Sequence, residues 1–386
     1  MYVPHGGNLV RMPQLDALRA IAVLLVIVSH WLPDSQLARQ LPVGMFGVTL
    51  FFVLNGFLIT RILLQEKQSI DRTHGARWRA LGRFYARRAL RIFPVYYLTL
   101  LVLWWTAGDA FRSDFGWYAG YASNVLLYRE QVWLAPAPHL WTLAVEEQFY
   151  LLWPLLVLAA PARLLGSLVG ATVLLGPASR SVVFLAGDGS AAAADSSQVL
   201  MPSCMDCFGL GALLALRDMR PESGATTRAS WWAGLLLVSV PMVLLLKDDY
   251  GIAGVAGFRL AVSVMALALI ARASAGFSGP GGRLMGNPAL AYVGRISYGM
   301  YLFHLFIPGL YRWLGLPAVE GTYPMFVLHG ALLLVLAAVS WHLFEAPFNR
   351  LKSRFAYHPP QRPPVQDQNP VTLAGAGTTE SVRIVG

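Results

Sequence analysis

The sequence predicts an all-α, polytopic integral membrane protein of about ten transmembrane helices with both termini cytoplasmic. Three observations predict it. Hydrophobic residues make up 56% of the 386-residue chain and charged residues only 13%, where soluble domains average about 25% charged; mean hydropathy is +0.53. The apolar residues fall in runs of about 20, the length that crosses a bilayer as a helix. Lys and Arg gather in alternate segments between the runs, as the positive-inside bias requires. The formal net charge of +10 then belongs to cytoplasmic loops facing lipid headgroups, which makes membrane lipids the first partner and gives no reason to invoke nucleic acid. Two cysteines, Cys204 and Cys207, imply no disulfide framework.

The first run is Asp16-Ala17-Leu18-Arg19-Ala20-Ile21-Ala22-Val23-Leu24-Leu25-Val26-Ile27-Val28-Ser29-His30. It continues into Trp31-Leu32-Pro33 without a small-residue cleavage site, so it reads as a retained span and not a signal peptide. Arg19 and His30 are eleven positions apart, which puts them on one helical face about 16 Å apart along the axis. Ionisable groups within a span are costly and mark function, so this stripe is expected to line a polar path.

The remaining runs place spans at 45–65, 90–107, 139–160, 163–186, 198–216, 231–247, 255–273, 289–311 and 324–346, after the first at 15–33. The basic segment from Arg61 to Arg91 reads as a cytoplasmic loop and fixes the orientation. Alternation then puts Arg180 in an outer loop. Residues 115–128 are aromatic but too short to span and suit an interfacial position. The alanine run 191–194 reads as a flexible connector, and the Gly-rich stretch 278–282 as a loop. It has neither the spacing nor the lysine of a phosphate-binding loop. Residues 1–355 form one transmembrane domain, and 356–386, rich in Pro, Gln, Gly and Thr, a disordered cytoplasmic tail. No appended soluble domain is expected.

Chemistry concentrates in the outer half. Span four carries adjacent carboxylates, Glu146 and Glu147, which point about 100° apart, so one can face a cavity while the other pairs with an arginine. Span nine carries a second histidine, His304. His30, one of the glutamates and His304 are expected to converge. His139, at the head of span four, reads as structural or acceptor-facing. Cys204-x-x-Cys207 has no second ligand pair at zinc-like spacing, so it reads as packing and no metal is expected.

These residues sit in motifs that resemble the acyltransferase 3 family. The opening Asp16-x-x-Arg19-Ala20-x(9)-His30 is similar to the family's first signature, and Phe51-Phe52-Val53-Leu54-Asn55-Gly56-Phe57-Leu58-Ile59 to its second-span motif. Phe84-Tyr85-x-Arg87-Arg88-x-x-Arg91-Ile92-x-Pro94 resembles its arginine motif. Trp141-Thr142-Leu143-Ala144-Val145-Glu146-Glu147-Gln148-Phe149-Tyr150 resembles its most recognisable stretch. Asp206-x-x-x-x-Gly211-Ala212-x-Leu214-Ala215, Ser297-Tyr298-Gly299-x-Tyr301-Leu302-x-His304 and Phe344-Glu345-x-Pro347 complete the series. Asn55 and Thr142 stand where serine is usual; both keep hydrogen-bonding ability.

The resemblance implies an O-acyltransferase of the bacterial cytoplasmic (inner) membrane, with acyl-CoA, acetyl-CoA by default, as donor substrate and no bound cofactor. The acceptor would be a hydroxyl of a cell-surface polysaccharide or glycolipid. His30, Glu146 and Glu147 become the catalytic candidates, because a neutral imidazole can deprotonate a hydroxyl and a carboxylate can orient it. Arg19, Arg88 and Arg91 become the donor-binding candidates, since guanidinium forks suit CoA phosphates. Asn55, Trp141, Asp206, Tyr298 and His304 become acceptor-site or supporting residues. Competing accounts stay open: snorkelling for Arg19, a topology signal for Arg88 and Arg91, interhelical hydrogen bonding for Asp206 and His304. At the level of function, a small glycosylated metabolite such as a macrolide is a second acceptor class. A transporter is the non-enzymatic alternative, although no internal repeat is evident.

Overall fold

The computed structural model describes residues 2–5, 8–219, 231–316 and 321–355. The expected tail 356–386 lies outside them. A two-stranded hairpin, β1 (Tyr2–His5) and β2 (Asn8–Arg11), precedes a chain that is otherwise helical among the described residues. The first ten helices are α1 (Pro13–Trp31), α2 (Gln36–Gln40), α3 (Val43–Thr73), α4 (Arg77–Thr106), α5 (Asp109–Ala119), α6 (Ser123–Glu130), α7 (Trp141–Ala159), α8 (Leu165–Ala186), α9 (Ala191–Ser197) and α10 (Met205–Asp218). Then follow α11 (Trp231–Leu246), α12 (Ile252–Ala275), α13 (Gly279–Met285), α14 (Pro288–Phe303), α15 (Ile307–Trp313), α16 (Tyr323–Ser340) and α17 (Ala346–Arg350). A π-helical turn at Trp341–Glu345 joins the last two.

Among the described residues, seven helical stretches are long and apolar enough to cross a membrane: Pro13–Trp31, Val43–Thr73, Arg77–Thr106, Pro138–Ala159, Ala162–Ala186, Ile252–Ala275 and Tyr323–Phe355. The pair Ala191–Ser197 and Pro202–Asp218, bent by 81°, makes eight if it counts as one span. The other two expected spans are met by shorter pieces. The α11 helix has 16 residues. The 289–311 run is broken into α14, a 3₁₀ turn at His304–Phe306 and α15. Pro308 stands at the break and has no amide hydrogen to continue the α14 ladder.

Three expected loops are helical instead. The basic segment after span two is not a loop: α3 runs to Thr73, where His74 ends it in the left-handed region at φ 51°, and α4 starts at Arg77. Gln, Glu, Lys and Arg are good helix formers, and this extension is anchored. Lys67 Nζ donates to the carbonyls of Leu158 and Ala160 at 3.1 and 2.7 Å, filling the open end of α7, and Arg83 pairs with Glu66 at 2.8 Å. The alanine run forms α9 because the Ser190 hydroxyl accepts from Ala193 N. The Gly-rich stretch opens α13, with Pro280 in its first turn.

The hub is α3, which packs against α1, α7, α10 and α12. Its contact with α10 is backbone on backbone. A Cβ at Gly211 would lie 2.0 Å from the Val53 carbonyl oxygen, and one at Gly56 2.2 Å from that of Phe208. Small residues allow such approach where lipid supplies no hydrophobic drive between helices. Gly211→Ala should therefore cost about 1–3 kcal/mol through overpacking, read as a lower unfolding temperature in detergent. Gly82→Ala, at a helical site where a Cβ meets nothing within 4 Å, should leave that temperature unchanged or raised.

Candidate active site

The site is built where α14 lies against α1. A Cβ at Gly294 would fall 1.8 Å from the Asp16 carbonyl oxygen, so only glycine allows this approach. Two contacts follow along one stripe of α1. Arg19 Nε lies 3.4 Å from Ser297 Oγ, and His30 Nδ1 lies 3.0 Å from His304 Nε2. Arg19 and His30 thus share a face, as their spacing predicts. Both contacts ascend in number together, so α1 and α14 run parallel.

Around Arg19 opens a cavity with about 630 Å³ of empty space, part of it open to the surroundings. It brings together most of the expected residues: Arg19 from α1, Asn55 from α3, Arg88 and Arg91 from α4, Glu146 and Glu147 from α7, and Tyr298 from α14. The Arg19 guanidinium sits 5.7 Å from the Phe51 ring, and that of Arg88 sits 5.0 Å from Tyr150. The Tyr150 hydroxyl donates to Glu146 Oε2 at 3.1 Å, whereas Glu147 Oε1 is buried without a hydrogen-bond partner. Both carboxylates line the same cavity; the structure does not turn one of them away. Arg87 is diverted, its guanidinium donating to the carbonyls of Lys352 and Phe355.

The histidines lie apart from the glutamates. His30 is exposed and His304 fully buried, and neither is among the residues that line the cavity. Tyr301 is the link. Its side chain lines the cavity, its carbonyl oxygen lies 2.6 Å from His304 Nδ1, and its hydroxyl lies 2.6 Å from Thr142 Oγ1. This is a correction to the expected single chamber: the buried Tyr301 ring and the Thr142 hydroxyl occupy the wall between the two groups. His139 is buried beside His304, rings 5.0 Å apart, and donates from Nε2 to the Leu302 carbonyl.

Two further expected residues fall outside the cavity. Trp141 packs edge-on against Phe52, with the Arg259 guanidinium 5.9 Å from its ring. Asp206 is fully buried and pairs bidentately with Arg180 at 2.8 and 3.1 Å. Arg180 is therefore not in an outer loop but buried on α8, where Gly176 leaves room for the Asp206 carboxyl. Cys204 and Cys207 are free and buried; Arg259 donates to the first sulfur and Ser263 to the second.

Sequence reasoning gave no role to Glu345. It is buried in the π-helical turn, its Oε1 has no hydrogen-bond partner, and it lies close enough to Arg91 for the two charges to interact. The available signal was the Phe344-Glu345-x-Pro347 motif, an acid within an apolar run.

Fold and site together define a polytopic helical membrane protein with an ionisable cavity between its spans. A family model described as an acyltransferase domain matches residues 12–344, and the chain belongs to that family, acyltransferase 3. The O-acetyltransferases OatA of Staphylococcus aureus strains NCTC 8325 and COL are each 27% identical over 387 residues, covering 91% of this chain and 59% of theirs. A relative from strain MSSA476 is 27% identical over 376 residues, covering 88% and 57%. The chain thus spans less than two thirds of the length of these relatives. No solved structure matches it significantly.

Breaking the buried Asp206–Arg180 pair leaves an uncompensated charge, so Asp206→Ala should cost about 3–5 kcal/mol of stability. Replacing both residues with apolar side chains of similar volume should recover most of that. Unfolding in detergent, scored for the single and double variants, checks both.

Proposed function

We propose that the chain is a membrane O-acyltransferase that moves an acyl group, acetyl by default, from cytoplasmic acyl-CoA to a hydroxyl of a cell-surface or exported polysaccharide or glycolipid. The observation that carries this reading is the cavity that sets Arg19, Arg88 and Arg91 beside Glu146 and Glu147, with the His30–His304 pair adjoining it through Tyr301. The names of the relatives support O-acetyl transfer.

In this reading Arg88 and Arg91 take the phosphates of CoA, for which planar guanidinium forks are suited. Glu146 and Glu147 hold the guanidinium groups in place before the donor arrives. For the thioester to reach His30, the pantetheine arm parts the Tyr301–Thr142 contact. There the His30 imidazole takes the acceptor hydroxyl's proton as its oxygen attacks the thioester carbon. The new C–O bond forms, the C–S bond breaks, and the imidazolium returns its proton to the departing thiolate. Arg19, in the same cavity as Arg88 and Arg91 and about 16 Å along α1 from His30, joins them in holding the donor's phosphates.

The topology belongs to the same proposal. Ten crossings result when α11 and the broken α14–α15 segment are added to the bent pair and the seven long stretches. The parallel course of α1 and α14 fits their places as first and ninth spans. Both termini then lie in the cytoplasm, residues 1–355 form the transmembrane domain, 356–386 form a cytoplasmic tail, and the cytoplasmic (inner) membrane is the location.

Membranes carrying the protein should transfer labelled acetyl from acetyl-CoA to isolated envelope glycan. His30→Ala should lower that transfer by about 10²-fold or more; undiminished transfer would defeat the base assignment, and a glycan taken up unmodified by proteoliposomes would favour transport. Arg88→Ala and Arg91→Ala should each raise the KM for acetyl-CoA about tenfold or more, since a hydrogen bond to a charged group contributes about 1.5–3 kcal/mol. Steady-state kinetics against donor concentration checks it.

A further inference from the structure

We propose that His304 is the positioning residue that sets the tautomer of His30, leaving the His30 Nε2 lone pair free to take the acceptor's proton. The inference rests on the acyl-transfer reading and gives its base a partner.

The argument starts at Tyr301. Its carbonyl oxygen lies 2.6 Å from His304 Nδ1. A carbonyl only accepts, so Nδ1 carries the hydrogen, and in a neutral imidazole Nε2 is then a bare acceptor. His30 Nδ1 lies 3.0 Å from that acceptor, so it must donate. His30 is thereby the Nδ1–H tautomer, and its basic Nε2 lies on the edge of the ring turned from His304. The chain of hydrogen bonds has one direction: His30 to His304 to Tyr301.

His304 is held well enough to impose this. It is fully buried in the 3₁₀ turn, and its own carbonyl accepts from Trp31 Nε1 at 3.2 Å. The rings of His139 and Tyr301 flank it at 5.0 and 5.5 Å. His139 does not compete for its nitrogens: His139 Nε2 donates to the Leu302 carbonyl at 3.1 Å, and His139 Nδ1 has no hydrogen-bond partner. His30, in contrast, is exposed at the end of α1. A histidine free in water favours the opposite, Nε2–H tautomer, which has no lone pair at Nε2. When His30 takes a proton, its bond to His304 becomes charge-assisted and stronger, so His304 also stabilises the imidazolium as it forms.

The test is nitrogen NMR of the full chain in micelles, with ¹⁵N-labelled histidine at a pH where both rings are neutral, assigned with His30→Gln. The spectrum should show His30 protonated at Nδ1 and bare at Nε2. In His304→Ala, His30 should revert to the Nε2–H form. Acetyl transfer from acetyl-CoA to isolated envelope glycan should then fall about 10²-fold in kcat, with the KM for acetyl-CoA within about twofold. His304→Gln, whose amide oxygen can accept from Nδ1–H, should restore part of the rate and the Nδ1–H signal. A wild-type His30 protonated at Nε2, or a tautomer unmoved by His304→Ala, would overturn the proposal. The wild-type spectrum needs no variant to fold and no activity, so such a failure is distinct from undiminished transfer by His30→Ala, which would sink the base reading itself.

Discussion

Charge inside an apolar helix bundle has to be answered by charge or hydrogen bonds from the protein, because no water is at hand to do it. This constraint organises the molecule. Arg19, Arg88 and Arg91 face a cavity shared with Glu146 and Glu147, and Glu345 lies near Arg91. Three guanidinium groups and two carboxylates thus line it, with Glu345 beyond them beside Arg91. Arg180 and Asp206 answer each other farther away and tie α8 to α10. The close glycine contacts, α10 on α3 and α14 on α1, then set the depth at which these helices interlock.

The two groups of charges are satisfied to different degrees. Both Asp206 oxygens bond to Arg180, one also accepts from Cys207 N, and Arg180 further donates to the carbonyls of Ser203, Val255 and Ala256. A fully satisfied buried network rigidifies a core. Around the cavity, Glu147 and Glu345 each keep an oxygen with no hydrogen-bond partner. Buried polar atoms are rarely left in that condition, and those that are call for a functional explanation. The contrast separates a fully bonded ion pair from carboxylates that keep an unbonded oxygen, and the residue types alone do not make that distinction.

What was legible in the sequence was whatever a single helix decides. The shared stripe of Arg19 and His30 follows from helical periodicity and stands in the structure as contacts to Ser297 and His304. The positions of the apolar runs were legible for the same reason. The wall between His30 and the glutamates was not, because it depends on how Tyr301 of α14 meets Thr142 of α7, and no spacing within one helix encodes that. The length of α3 was missed because hydropathy fades near residue 65 while the helix continues on Gln, Glu, Lys and Arg to Thr73. Alternation of the loops places Arg180 outside, because its partner, 26 residues away on another helix, is invisible within a single span.

The π-helical turn at Trp341–Glu345 has a consequence of its own. Each of its hydrogen bonds closes over one residue more than in an α-helix, so the chain beyond it is shifted in phase relative to an uninterrupted spiral. That shift brings Glu345 inward and presents the carbonyls of Lys352 and Phe355 to Arg87. The closing 3₁₀ turn, Leu351–Phe355, is therefore geared to α4 by a single surplus residue. Deleting one residue from this turn would regularise the coil and turn the final segment by about 100°, swinging its carbonyl acceptors out of mesh with Arg87 while every side chain beyond the deletion stayed the same.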